Sequence, residues 1–143
     1  MKTEVKQLLI TKETDYALRV LRALSPGARL SVPDLCKAEQ LPTGFVYKIV
    51  QKLTAAGFVS VTRGAGGGCL LTGDLDRLTL YDVMCAMGDC GLVSSCMDPA
   101  YACDWRKAHR GCSVHCHLSA IQNAVNDSMK QYSVASLFTD CPR

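Results

Sequence analysis

The chain of 143 residues is 48% hydrophobic, yet it lacks long apolar runs. None approaches the roughly 20 residues that a membrane helix needs. It has no internal repeat and no low-complexity stretch, and its apolar content excludes a disordered or fibrous chain. Its first ten residues, Met1 to Ile10, hold an apolar patch too short for a secretory signal and surrounded by charge. The expected location is therefore the cytoplasm, with no membrane partner. The sequence also lacks a Cys-x-x-Cys pair, a nucleotide-binding glycine loop and a Ser/His/Asp pattern. Cysteine content apart, it gives no reason to expect a redox enzyme or cluster carrier, and the reading is of a protein that is not an enzyme.

Cysteine is what the chain has in excess: nine residues. In a reducing compartment this argues against a disulfide framework and for metal binding or redox chemistry. Only Cys36 and Cys69 precede position 85. Six follow closely, at Cys85, Cys90, Cys96, Cys103, Cys112 and Cys116, and Cys141 is the last. Charge is uneven too. Residues 1–63 carry a net charge of +5 and residues 64–143 one of −2. A basic N-terminal part fits a polyanionic partner, although a solvated surface is the commoner meaning of such a charge.

Periodicity predicts mainly α structure with a small β-wing. A helix over Thr11–Leu24 has Ala17, Val20, Leu21 and Leu24 on one face, with Thr11 as cap and Ser25-Pro-Gly27 as stop. Ser31-Val-Pro-Asp34 is a capping box for a short helix with Val32, Leu35 and Cys36 inward. After Leu41-Pro-Thr-Gly44, a third helix runs to about Ala56 with Val46, Ile49, Val50 and Leu53 inward. Phe58–Thr62 and Cys69–Leu71 read as a hairpin around a glycine-rich tip. Thr79-Leu-Tyr-Asp82 is a second capping box, for a helix burying Leu80, Val83, Met84 and Met87. Residues 88–112 have no periodicity, and a loop that long needs something to hold it. A last helix is expected over Ser113–Tyr132. Its narrow stripe of Val114, Leu118, Ile121, Val125 and Met129 suits a partner helix, as in a homodimer.

Helix, short helix, turn, helix and hairpin make a winged helix-turn-helix, whose second motif helix enters the DNA major groove. With the apolar face inward, Thr43, Gly44, Tyr47, Lys48 and Gln51 face out. These residue types suit base and phosphate contacts. Lys52 lies at the flank, and Arg63 at the wing base is placed for the minor groove. A small helical domain with a polar surface helix is the plainer alternative. The expected divisions are 1–78, a winged-helix DNA-binding domain with its helical N-terminal arm; 79–112, a short helix and cysteine-rich loop; and 113–143, a dimerisation helix and tail.

Thr14-Asp-Tyr-Ala-Leu-Arg19, Tyr47-Lys-Ile49 with Leu53-x-x-Ala-Gly57, and Arg63-Gly-x-Gly-Gly-Gly68 resemble the Rrf family of bacterial winged-helix regulators. Its members include an iron–sulfur cluster regulator, a nitric-oxide-sensing repressor and an iron regulator. The resemblance runs from about Ile10 to Leu137. It implies a homodimeric transcription factor, read here as a repressor, bound to a near-palindromic double-stranded operator and joined through the long last helix. Cys69 stands where the family has an aromatic, and Pro42-Thr-Gly44 replaces a Ser-rich stretch, so the operator sequence does not carry over.

Cluster-bearing members use three cysteines between the post-wing helix and the dimer helix. Register from Asp82-Val83 forward and from Tyr132–Leu137 backward implies Cys96, Cys103 and Cys112 here. Cys112-Ser-Val-His115 matches the Cys-x-x-His ending of the iron–sulfur cluster regulator. The resemblance thus implies an iron–sulfur cluster, 2Fe-2S or 4Fe-4S, held by Cys96, Cys103, Cys112 and His115. Soft thiolates suit such a group, and a histidine ligand alters its potential. Both gaps between the cysteines are longer than usual. Cys116 is an alternate third ligand, and Asp15 a rival fourth ligand contributed by the other subunit. From the residues alone, a structural zinc or a thiol–disulfide sensor with Arg106, Lys107 and Arg110 nearby also fits. Cys36 reads as a core thiol, and Cys85, Cys90 and Cys141 as incidental. His109 and His117 read as surface residues.

Overall fold

The computed structural model describes residues 8–89 and 91–141. The chain's first helix, α1 (Lys12–Leu24), starts where the Thr11 hydroxyl accepts from the Thr14 N–H at 3.5 Å and stops at Ser25. In the short helix α2 (Val32–Glu39), Ser31 and Asp34 form the reciprocal box expected of them. Its end is pinned to α1 by a two-pronged contact, Arg22 Nε at 3.1 Å and Nη2 at 2.5 Å from the Glu39 carboxylate. Helix α3 (Thr43–Ala55) follows without a side-chain cap, because Pro42 occupies the position before it.

Strands β1 (Val59–Thr62) and β2 (Gly68–Leu71) pair antiparallel, Val59 opposite Leu71 and Thr62 opposite Gly68. Glycine is obligatory in the tip. A Cβ on Gly67 would lie 2.2 Å from the Thr62 carbonyl oxygen, and one on Gly68 would lie 2.8 Å from that of Leu30. The wing is tied to the body where Cys69 N–H donates to Leu30 O at 2.7 Å and Leu30 N–H returns to Cys69 O at 3.0 Å. Cys69 is itself buried, which raises its thiol pKa. A small apolar thiol thus packs at the root of the wing.

Helix α4 (Leu80–Ala86) opens on the Thr79/Asp82 box and buries Leu80, Val83 and Met84, with Met87 buried just past its end. The loop beyond departs from a structureless reading. It holds a 3₁₀ turn at Ser95–Met97 and a short helix α5 (Asp104–Ala108). Helix α6 (Ser113–Lys130) ends two residues before the expected Tyr132, and a further turn of helix, α7 (Val134–Leu137), is capped by Ser133. Its Val134 is fully buried in the main core beside Leu21, Leu35, Ile49 and Leu53. Helix α6 meets α4 in a smaller core of Leu80, Met84 and Met129. Cys36 is half-buried at the core's edge, and Cys90 lies outside the described residues.

Candidate functional site

Two surfaces carry the chemistry. The first is built on α3. Val46, Ile49, Val50 and Leu53 are buried. A 3.6-residue period therefore turns Thr43, Gly44, Tyr47, Lys48 and Gln51 outward, and all five are exposed. Arg63 is exposed where the chain leaves β1. Lys52 differs from its neighbours: its ammonium is engaged internally, paired with Glu13 and donating to the Met87 carbonyl at 2.9 Å. The sequence reading passed over Phe45, which is 44% exposed and meets Tyr16 edge-on at 5.8 Å between centroids. Its place beside Gly44 on the outward face was the available signal.

The second surface is a cavity of about 230 Å³ between the loop and the start of α6. Cys96, Cys103, Cys112 and His115 all line it, with Tyr101 and Arg106 among the other walls. The elements position them in turn. Cys96 lies in the 3₁₀ turn, its Sγ 3.3 Å from the Ser94 hydroxyl. Cys103 is the residue before α5. Cys112 caps α6, its Sγ accepting from the His115 N–H at 3.4 Å. The N-terminus of an 18-residue helix favours negative charge at that point. His115 lies in the first turn of α6, with Arg106 Nη1 3.1 Å from its Nε2 and 3.2 Å from its Nδ1.

These donors surround a space. Among the described residues no three Cys, His, Asp or Glu groups converge closely enough to hold one metal ion. Cys116 is exposed and lies outside the cavity wall. Asp15 sits on α1, about half exposed, paired with Arg19 at 3.2 Å. His109 stacks on Trp105 at 4.0 Å, and His117 bonds the Ser113 carbonyl at 2.7 Å, so neither faces the cavity.

What sequence reasoning missed is Gln122. It is 7% exposed on α6, accepts from Val93 N–H at 2.8 Å and donates to the Gly91 carbonyl at 3.1 Å. It holds down the beginning of the cysteine loop. No helix among the described residues is long and apolar enough to cross a membrane.

Comparison with known proteins bears on the chain as a whole. The family described as "Rrf2: Iron-dependent Transcriptional regulator" matches residues 10–140. The protein aau3 of Rhizobium meliloti is 35% identical over 91 residues, which cover 62% of this chain and 59% of that protein, so the match spans about three fifths of that relative. The transcriptional regulator NsrR of Bacillus subtilis is 24% identical over 126 residues, covering 86% of this chain and 80% of that one. The solved structure of CymR, the global cysteine regulator of B. subtilis, superposes with a TM-score of 0.66 at 21% identity, over 94% of this chain and all of that chain. That likeness establishes the winged-helix fold. With the family match across nearly the whole chain, the protein is a DNA-binding transcriptional regulator rather than an enzyme, and it belongs to the Rrf2 family.

Proposed function

We propose that the chain is a homodimeric repressor that reads its operator through α3 and the wing and senses redox, nitric oxide or iron status at the cysteine cavity. In this reading Cys96, Cys103, Cys112 and His115 hold an iron–sulfur cluster. The observation that carries it is that these four residues, scattered over 20 positions of chain, line one cavity. Their donor chemistry fits the group: three soft thiolates and an imidazole around a space larger than one ion. When bound, the cluster would supply a centre that oxidants, nitric oxide or iron scarcity can damage.

The chain's own residues do the remainder. Cys112 anchors the site to the start of α6. Cys96 and Cys103 fix the loop against it. Thr43, Gly44, Tyr47, Lys48 and Gln51 contact base edges and phosphates, and Arg63 enters the adjacent minor groove. Divisions at 78 and 112 follow from this assignment, separating reading head, sensor loop and dimer helix. Two head positions with different operator affinity make a switch.

The test is an assay for iron and acid-labile sulfide, with a visible spectrum, on protein purified without oxygen. Iron, sulfide and visible absorbance are expected, and Cys112→Ser should remove all three while the protein stays folded. If only Cys116→Ser does so, the third ligand is Cys116. Iron and absorbance absent from the wild type would sink the cluster.

A second reading has its own support: Arg106 stands in the wall of a three-thiol cavity. There the thiols alone sense, without a cluster. Operator affinity would then follow disulfide stress and ignore iron chelation.

A further inference from the structure

Three helices stitch down the short segment that leads from α4 into the cysteine loop. From α3, the Lys52 ammonium donates to the Met87 carbonyl and pairs with Glu13 of α1. Two residues on, the Asp89 carboxylate accepts from the N–H of Thr11, the cap of α1, at 3.3 Å. From α6, the buried Gln122 side chain takes the Val93 N–H and the Gly91 carbonyl. Between them Gly91 has φ +55°, and a Cβ there would come within 3.1 Å of the Met84 side chain. At Gly91 the chain is therefore close-packed as well as hydrogen-bonded. Ser94 and Cys96 follow at once, and Gln122 lies seven residues beyond His115, about two turns along the same helix.

Movement of the loop against α6 cannot be absorbed freely here. It breaks a bond to Gln122, leaving a buried group unpaired, or it drags Met87 and Asp89 with it. Dragging Met87 pulls on the helix that reads DNA.

We propose that Met87–Asp89 and Gly91–Val93, on either side of Cys90, act as a strap coupling the cysteine cavity to the recognition helix, with Gln122 and Lys52 as its positioning residues. Gln122 sets the strap's place from the sensor side, and Lys52 passes it to α3. The proposal rests on the reading of the cavity as the sensor, but one arm of its test is independent of that reading.

That arm is amide hydrogen exchange on the full chain with its thiols kept reduced. Gln122→Met should speed exchange at residues 87–93 and also in the last two turns of α3. Adding Lys52→Met should abolish the spread, leaving α3 in the double variant as in Lys52→Met alone. Faster exchange confined to α6 and residues 91–93 would overturn the strap, as would strictly additive effects in α3. Should Gln122→Met fail to fold, Gln122→Glu keeps the acceptor for Val93 and loses the donor to Gly91, and carries the same comparison.

The second arm uses a DNA duplex selected from a random pool by the wild-type protein. Its affinity is measured for protein prepared without oxygen and again after oxidant and chelator. The wild-type ratio is expected to be roughly tenfold, and Lys52→Met should bring it close to one. A lost phosphate contact would weaken both states equally and leave the ratio intact; that result counts against the strap. A wild-type ratio of one counts against the sensor, while the exchange arm still decides the strap.

Discussion

Arg63 illustrates what one residue can carry. It is exposed at the point where β1 turns into a tip that only glycine can form, since Gly67 and Gly68 have no room for a Cβ. The tip thus turns tightly, and its one long cation stands at its base. Arg63→Ala should weaken operator binding by about 1–3 kcal/mol, read by titration at fixed salt. Unchanged affinity would contradict the wing assignment. Arg63 and the outward face of α3 were legible because a 3.6-residue period decides which side chains remain in solvent. Gln122 was not legible. On a helix with a narrow apolar stripe, a glutamine looks like one more solvated residue. Its burial depends on unpaired backbone groups at Gly91 and Val93, which come close only in the folded chain. Lys52 shows the same limit: the sequence places it on the flank of α3 but does not show Glu13 or Met87 waiting there.

At the scale of elements, the long helices were readable to within a residue or two because caps and periodicity agree. Thr11, Ser31 and Thr79 each cap the helix expected of them. The short elements were not readable. α5 and α7 have five and four residues, too few to show a helical period, and α7 is held by tertiary contact. For α7 the contact is visible: Val134 N–H donates to Leu78 O at 2.7 Å, and Leu80 N–H to Tyr132 O at 2.9 Å. These bonds fasten the end of α6 to the segment that starts α4, so Thr79 stands at a junction. Its hydroxyl accepts from Asp82 N–H at 3.2 Å, and its own N–H is taken by Asp82 at 2.8 Å. Thr79→Ala should cost about 1 kcal/mol as a lost cap, measured as a lower urea midpoint with an unchanged slope. No change in midpoint would mean the junction is held by α7 alone.

For the whole molecule, the stripe along α6 turns out to be divided. Its lower end is used within the chain, where Met129 is buried with Leu80 and Met84 and Val125 packs beside them. Its upper end is only partly used: Val114 and Leu118 border the cysteine cavity, while Val114 is still 63% exposed and Ile121 51%. The sequence showed one continuous stripe and could not show that α4 takes half of it. What remains is an apolar ridge on a helix about 27 Å long, beginning at Cys112 in the cavity wall. A second copy seated on that ridge would set the distance between two reading heads and place it next to the sensor loop. Two heads on one operator bind half-sites about 34 Å apart, and their linkage multiplies affinity. Ile121→Glu puts a charge in the middle of the ridge at a position already exposed in the single chain, so the fold should survive. Sedimentation should then show a monomer with native helix content, and operator affinity should fall by roughly a hundredfold or more through lost avidity. Binding to a single half-site should change little, because α3 and the wing are untouched. A dimer that persists at low micromolar concentration would move the interface away from α6.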